Sequence, residues 1–461
     1  MTWTTLDPPW RGIGAAISEQ VEVEAASLWA ASGGAWLTDP RAAIPHPVVD
    51  SIVDMVRWLD ARGAGLAVHF GAEGVGVIGE RAAIMQAPPA TDVSCGGATR
   101  LVPAADGWLA VSLARPDDTD SIPAWLGVPI GDDPWATVGG AAATRPVGEL
   151  VERASLLGLA VVEVGEVSDG RGVLLQRVGD SAPRGDHDDL NRGDLSGGDL
   201  SGLVVADLAS LWAGPLAGDV LARLGARVIT VESIGRPDGA RQVPEFFDAL
   251  HGRHESVALD FATATGRRQL GELLGAVDVV IEGSRPRALA QLGIDAAALT
   301  STGPRVWASI TAHGRTGPAA ARIGYGDDAA AAGGLVGWVA GPVEGPVARR
   351  VTADRGAGQV DGDVRRPVFL ADAIADPIAG LTTAATIVHL LEGGGRWIVD
   401  VALARLAASL ATDASLATDA SRPLRCDPTL VQPPRRRTDP GRRLPLGRDT
   451  AAVLGEFGIE P

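Results

Sequence analysis

Apolar residues recur at helical spacing over 17–29 and again over 48–59, which predicts two helices near the N-terminus. The pattern then shortens: Asp106-Gly107 reads as a turn feeding a strand from Trp108 to Leu113. Residues 115–165 mix helical and strand periods. From 179 to 202 Gly, Asp and Ser dominate and large apolar side chains nearly vanish, the composition of a flexible linker.

Beyond the linker, short apolar runs alternate with helical ones. Strands are predicted over 203–208, 228–232, 277–282, 306–311 and 397–401. Between the first two, Leu216, Val220, Leu221 and Leu224 line one helical face, with Pro215 suited to the helix start and Gly225 to its end. Further helices are predicted over 265–274, 287–292 and 377–391, the last long and apolar and preceded by Asp372 and Asp376. Strands apolar on both faces and alternating with helices predict an α/β protein with a covered parallel sheet and right-handed crossovers. The expected organisation is a helical segment at 1–90, a small α+β domain at 91–178, the linker at 179–202, a Rossmann-like large domain at 203–403, and an exposed Arg/Pro-rich tail at 404–461 ending in a short capped helix.

With 461 residues, 46% hydrophobic and 21% charged, the chain can bury a core of useful size without staples. Cys95 and Cys426 lie far apart and form neither a disulfide framework nor a metal-ligand pattern, so no metal is expected and a reducing cytoplasm fits. No charged-then-apolar leader and no run of 18 apolar residues is present, so neither a signal peptide nor a membrane span is expected. The formal charge of −17 argues against a nucleic-acid partner. All 40 basic residues are arginine, which removes lysine as a Schiff-base former or phosphate clamp and leaves phosphate contacts to arginine, hydroxyls and backbone N–H groups.

The β-α-β start at 203–232 invites a dinucleotide reading, but its turn, Leu211-Trp212-Ala213-Gly214-Pro215, lacks G-x-G-x-x-G, and NAD is disfavoured. The same stretch carries Ala213-Gly214-Pro215, Leu224-Gly225-Ala226, Val231-Glu232, and Asp238 with Arg241. Ser256-Val257-Ala258-Leu259-Asp260, Val279 to Glu282 with Arg285-Pro286, Ala308 to Thr311 with Gly314 to Pro318, and Gly324-Tyr325-Gly326-Asp327 follow. Ala375-Asp376-Pro377-Ile378-Ala379-Gly380-Leu381 and Pro445 to Gly458 complete the series. In this order these segments resemble the class III CoA-transferases, the family of formyl-CoA transferase and α-methylacyl-CoA racemase. The family's glycine-loop domain normally follows its catalytic Asp. Here a similar piece, Gly96-Gly97-Ala98 and then Ala105-Asp106-Gly107-Trp108, precedes the large domain, so the chain resembles a permuted member.

The resemblance implies a function and a site. It implies transfer of CoA from an acyl-CoA thioester to a carboxylic acid, with coenzyme A as substrate and product and Asp376 as the nucleophile. Asp372 is the neighbouring residue that a misalignment would select. It implies a CoA pocket lined by Leu211, Trp212 and Ala213 with Arg241 on a phosphate, and a mobile shield at Gly96 and Gly97. Ser233, Gly283 and Gln291 stand where some relatives have Arg or Asn. Racemases of the family place a His in the G-Y-D element, where this chain has Tyr325, so Tyr325 is expected at the substrate pocket and a racemase or isomerase is the alternative. A non-catalytic CoA-binding subunit is a third reading. His251, His254 and His313 are expected at the surface or behind the site. Family members form interlocked dimers, which implies a homodimer here.

Overall fold

The parallel sheet expected after residue 203 is present, but it is wider than its own domain. The structure, a computed structural model, describes residues 2–11, 19–43, 45–179, 197–340, 365–411, 426–439 and 441–460. Most of the expected linker, 180–196, and part of the expected tail, 412–425, lie outside the described residues.

Among the described residues the strands are β1 (Thr4–Thr5), β2 (Thr99–Pro103), β3 (Trp108–Ser112), β4 (Ala160–Glu163), β5 (Val173–Gly179), β6 (Val204–Asp207), β7 (Arg227–Ser233), β8 (Glu255–Leu259), β9 (Val279–Glu282), β10 (Val306–Thr311), β11 (Gly337–Ala340), β12 (Arg365–Val368) and β13 (Arg396–Ala402). An eight-stranded sheet runs β1-β5-β13-β10-β9-β6-β7-β8. Its members from β13 to β8 are parallel, while β5 pairs antiparallel with β13 and β1 antiparallel with β5. Taken in chain order, the six parallel strands follow the 3-2-1-4-5-6 order of doubly wound sheets. The order reverses between β6 and β9, and the turn after β6 leaves from that switch point.

The expected boundary at 178 is corrected by this sheet. β5 pairs along β13 from Val173 to Gly179, and β1 adds to β5, so two N-terminal strands finish the C-terminal sheet. Val173, Leu174 and Leu175 are apolar and buried there, and their pairing covers what would be an exposed sheet edge. Among the described residues β2, β3 and β4 stand apart as a three-stranded antiparallel sheet over Val111, Trp125 and Leu150, and β11 and β12 as an antiparallel pair. The N-terminal helix His46–Asp60 is likewise no separate unit. Its Val48, Ile52 and Met55 share one core with Leu216, Leu381 and Leu403. Sealing an apolar side chain of this size contributes roughly 1.5–3 kcal/mol.

The helix Ala375–Gly393 runs through the middle of that core and is buried on nearly every side, as expected of a helix without a polar face. It packs on the helix Ala213–Arg223 so closely that a Cβ at Gly380 would stand 2.7 Å from the Ala213 carbonyl oxygen. The glycine four residues after Asp376 therefore has a packing reason: it lets the end of the β6 turn lie one helical turn from Asp376.

The expected exposed tail at 404–461 is corrected at 404–411 and at single positions beyond, while most of the described residues from 426 on are exposed or half-buried. Leu403–Ala411 is a helix with Leu403, Leu406 and Leu410 in the core. Farther on, Arg437 has 1% of its side chain exposed, held by Glu80 and by Asp219. An Arg/Pro-rich stretch reads as solvated from sequence, but two buried carboxylates neutralise this one cation and permit its burial.

Candidate functional site

The approach to Asp376 is a sharp turn. Ala371 and Ala373 have φ of 50° and 43°, left-handed values that cost an L-residue about 1–3 kcal/mol. Three partners hold the turn. Thr38 Oγ1 accepts from the Ala371 N–H at 3.0 Å, Asp327 Oδ1 accepts from the Ala373 N–H at 3.0 Å, and the Cys95 thiol donates to the Ala371 carbonyl at 3.4 Å. Asp376 then falls in the first turn of Ala375–Gly393. It is not the helix cap: Ile374 holds that position, with no side-chain hydrogen bond. Its carboxylate thus remains available while the positive end of the helix dipole favours its ionised form.

Asp376 belongs to a group of four carboxylates. Asp327, Asp328 and Asp372 are 7%, 0% and 1% exposed, whereas Asp376 is half-buried and is the one that reaches solvent. Arg81, from the helix Glu80–Met85, donates to both oxygens of Asp372, at 2.9 Å from Nε and 2.5 Å from Nη2. Asp328 accepts from Ser112 and from the Tyr325 N–H, each at 2.9 Å. Burial, against the pull of Arg81 and with the push of the neighbouring carboxylates, raises Asp376 to about 7. The same causes raise Asp327 to about 6, and burial raises Asp328 to about 7.

Several expected site residues converge here. Gly96 and Gly97 are exposed at the start of β2, and a Cβ on Gly96 would lie 3.6 Å from Arg81 Nη2. Gly97 has φ of 76°, which glycine adopts without cost. Trp212 is buried with the Arg81 guanidinium 5.2 Å from its ring, and Ala213 touches Gly380. Tyr325 is half-buried at the head of the helix Gly326–Ala332, its phenol raised by burial and set among Arg115, Asp118 and Arg236. The next residue, Gly326, lies against Asp376: a Cβ there would meet Oδ2 at 2.7 Å.

Two residues of the expected pocket are held from the protein side. Leu211 is 41% exposed with φ of 71°, and its N–H is already bonded to Asp238 Oδ1 at 3.0 Å. Arg241 gives Nε and Nη2 to Glu232 at 2.9 and 2.5 Å, gives Nη1 to the Leu444 carbonyl at 2.9 Å, and stacks 4.0 Å from the Phe247 ring. A phosphate on Arg241 would have to compete with Glu232.

The histidines expected at the surface or behind the site are all buried: His251 and His254 are 0% exposed and His313 is 5%. His313 sits behind Asp328, both facing the position a Cβ on Gly324 would take. Sequence reasoning missed Arg81, which lies 291 residues before its partner Asp372 and carries no motif. Asp327 stood inside a quoted motif and Asp328 directly beside it. Nothing in either marked them as lining the Asp376 pocket.

Residues 200–428 match the model of CoA-transferase family III. The chain is 31% identical over 229 residues to an acyl-CoA transferase of Fusarium pseudograminearum, covering 46% of each chain. It is 30% identical over 221 residues to the succinate–glutarate CoA-transferase of Agrobacterium fabrum, covering 44% of this chain and 50% of that one. A solved CAIB/BAIF family protein from Brucella suis aligns with TM-score 0.38 and 29% identity over 49% of this chain and 58% of that one. The chain spans about half the length of these curated relatives. The ordered motifs and the matched segment give the same answer: residues 200–428 are a CoA-transferase family III segment.

Proposed function

We propose that this protein moves CoA between an acyl-CoA thioester and a carboxylic acid, with Asp376 as the nucleophile. The observation that carries the reading is the selective exposure of Asp376 within its carboxylate group, beside Arg81, the Gly96-Gly97 loop and the turn ending at Ala213. A carboxylate oxygen of Asp376 attacks the thioester carbon, the C–S bond breaks, and CoA leaves as thiolate with a mixed anhydride on Asp376. The thiolate then attacks the aspartyl carbon, giving an aspartyl-CoA thioester and the freed acid. An acceptor carboxylate attacks that thioester, and the thiolate returns to the acceptor's acyl carbon, leaving Asp376 as it began. No proton is gained or lost, and each hard exchange is divided into easier ones. Arg81, anchored by Asp372, is the cation beside the negative charge that develops at each addition.

Incubation with a panel of acyl-CoAs, borohydride reduction and peptide mapping tests the reading. A trapped aspartyl thioester should reduce to a modified residue at Asp376. CoA binding without label at Asp376, together with exchange of the α-proton in deuterium oxide, would move the isomerase reading ahead.

A second expectation concerns pH. Asp376 must be ionised to attack, and its carboxyl lies near 7 as one of a coupled set. kcat/KM should therefore rise with pH and level off above about 7. The three raised carboxylates favour the folded state most when protonated. Their contribution is present below the ordinary carboxylate range near 4 and is lost as pH rises through about 6 to 7, so Tm should fall over that window. A rate profile that stays flat from about pH 5.5 to 8 would contradict the assignment of the limb to Asp376.

A further inference from the structure

Away from the Asp376 pocket, three side chains turn polar atoms toward one another inside the protein and leave them without hydrogen bonds. They are Asp207 at the end of β6, His251 at the end of the helix Pro244–His251, and His254 just after it. All three are 0% exposed. Asp207 Oδ2, His251 Nε2 and His254 Nε2 have no hydrogen-bond partner. One ligand atom from each of the three residues lies within 4.8 Å of the others. A buried polar atom without a partner costs on the order of 1–3 kcal/mol, and three converging on one point multiply that cost unless something between them repays it.

Their opposite edges are fixed. His251 Nδ1 lies 3.0 Å from the Phe247 carbonyl, which can only accept, so Nδ1 carries the proton and Nε2 of the neutral ring presents its lone pair. Phe247 also stacks on this imidazole, with centroids 4.0 Å apart. His254 Nδ1 lies 3.0 Å from Thr230 Oγ1, a hydroxyl able to accept from it. Asp207 Oδ1 accepts from the Ala209 N–H at 2.9 Å, which leaves Oδ2 as its free oxygen. Ligand histidines and carboxylates are oriented in this way by partners on their far atoms.

We propose that Asp207, His251 and His254 bind a divalent cation of the zinc type. Two imidazole nitrogens and one carboxylate oxygen suit zinc, cobalt or ferrous iron rather than magnesium or calcium, which prefer all-oxygen shells. Tetrahedral ligands about 2.1 Å from zinc stand roughly 3.4 Å apart, so atoms within 4.8 Å of one another need to draw together by at most about 1.4 Å. Gly218 borders the same space: a Cβ there would lie 3.3 Å from Asp207 Oδ2 and 3.4 Å from His254 Nε2. Its backbone also acts on the His254 ring as a hydrogen-bonding group, the partner with which an ion would compete. The ion would tie the end of β6 to the helix Pro244–His251 beneath the turn that leads to Trp212. It does not depend on Asp376 chemistry.

The test uses the untagged full chain, stripped with chelator and dialysed against Zn²⁺ or Co²⁺. The expected result is one ion per chain, a Co²⁺ d–d spectrum without the thiolate band that Cys95 or Cys426 would add, and a Zn²⁺-dependent rise in Tm of about 5 °C or more. His251→Gln and His254→Gln should each weaken Zn²⁺ binding at least about a hundredfold. Gly218→Ala, which keeps all three ligands, should weaken it about tenfold. Should the glutamine variants fail to fold, the wild-type stoichiometry and spectrum decide alone. Wild-type protein that takes up no Zn²⁺ at micromolar concentration overturns the proposal, as does uptake that Gly218→Ala and the glutamine variants leave unchanged. Either result would assign the His254 Nε2–H to the Gly218 carbonyl, with Thr230 donating to Nδ1.

Discussion

On the proposed mechanism, Asp376→Asn should lower CoA transfer by at least about 10³-fold while the protein remains folded, because an amide cannot form acyl-aspartyl intermediates. The half-buried position and the absence of any capping role for Asp376 mean that little packing is lost. Removing a carboxylate that its neighbours and its burial penalise should leave Tm unchanged or higher above about pH 7. This pairing of dead enzyme with intact or improved stability separates a chemical role from a structural one. Asp372→Asn gives the contrasting result. Asp372 is 1% exposed and holds Arg81 through two hydrogen bonds, so its loss leaves a cation with a broken pair and should cost about 3–5 kcal/mol of stability. Transfer assays and thermal melts on both variants decide the matter. Asp376→Asn with more than about a tenth of wild-type activity would remove Asp376 from the mechanism.

Arg437→Met should be the most destabilising single change outside the site. Arg437 donates to both oxygens of Glu80, to Asp219 Oδ2 at 2.8 Å and to the Ala249 carbonyl at 2.5 Å, and all three charged side chains are 1% exposed. Burial alone would raise Asp219, but Arg437 and Arg223 outweigh it and hold its carboxyl below the ordinary range. Without Arg437 two carboxylates stay buried with too little positive charge, at a cost of about 3–5 kcal/mol or more. Tm should fall by on the order of 3–5 °C. Lysine should not rescue it, because an ammonium cannot offer the guanidinium's fork to two carboxylates and a carbonyl at once. The linkage also has a sign. A depressed Asp219 contributes stability above the ordinary carboxylate range that is lost as pH falls through its folded value, so acid should weaken wild type more than the variant. A loss below about 1 kcal/mol in denaturant melts would mean that the network contributes little.

The sequence by itself determined the parts whose cause is local. Two-sided apolar runs predicted β10 over the residues it occupies, 306–311, and placed β6, β7 and β9 to within two residues at either end, because strands covered on both faces cannot hide their Val and Ile content. The ordered motifs located Asp376, Gly380 and the turn at Ala213, because each motif position answers to a local need: a helix start, a close helix contact, a bend after a strand. The tertiary structure decided what distance along the chain conceals. Arg81 and the Gly96-Gly97 loop reach the Asp376 pocket across nearly 300 residues, and no local pattern announces a cation that will meet Asp372. Arg437 reads as tail because its neighbours are Arg and Pro, yet two carboxylates from other segments make it core. β5 reads as part of a small domain because its apolar pattern does not say which sheet it will join, and the open edge of β13 decides that. Asp207, His251 and His254 stand apart in sequence as ordinary residues, and only packing turns their free atoms toward one point. Local propensity and periodicity are written in neighbours along the chain, whereas charge compensation, edge pairing and ligand geometry depend on which distant residues the folded core brings together.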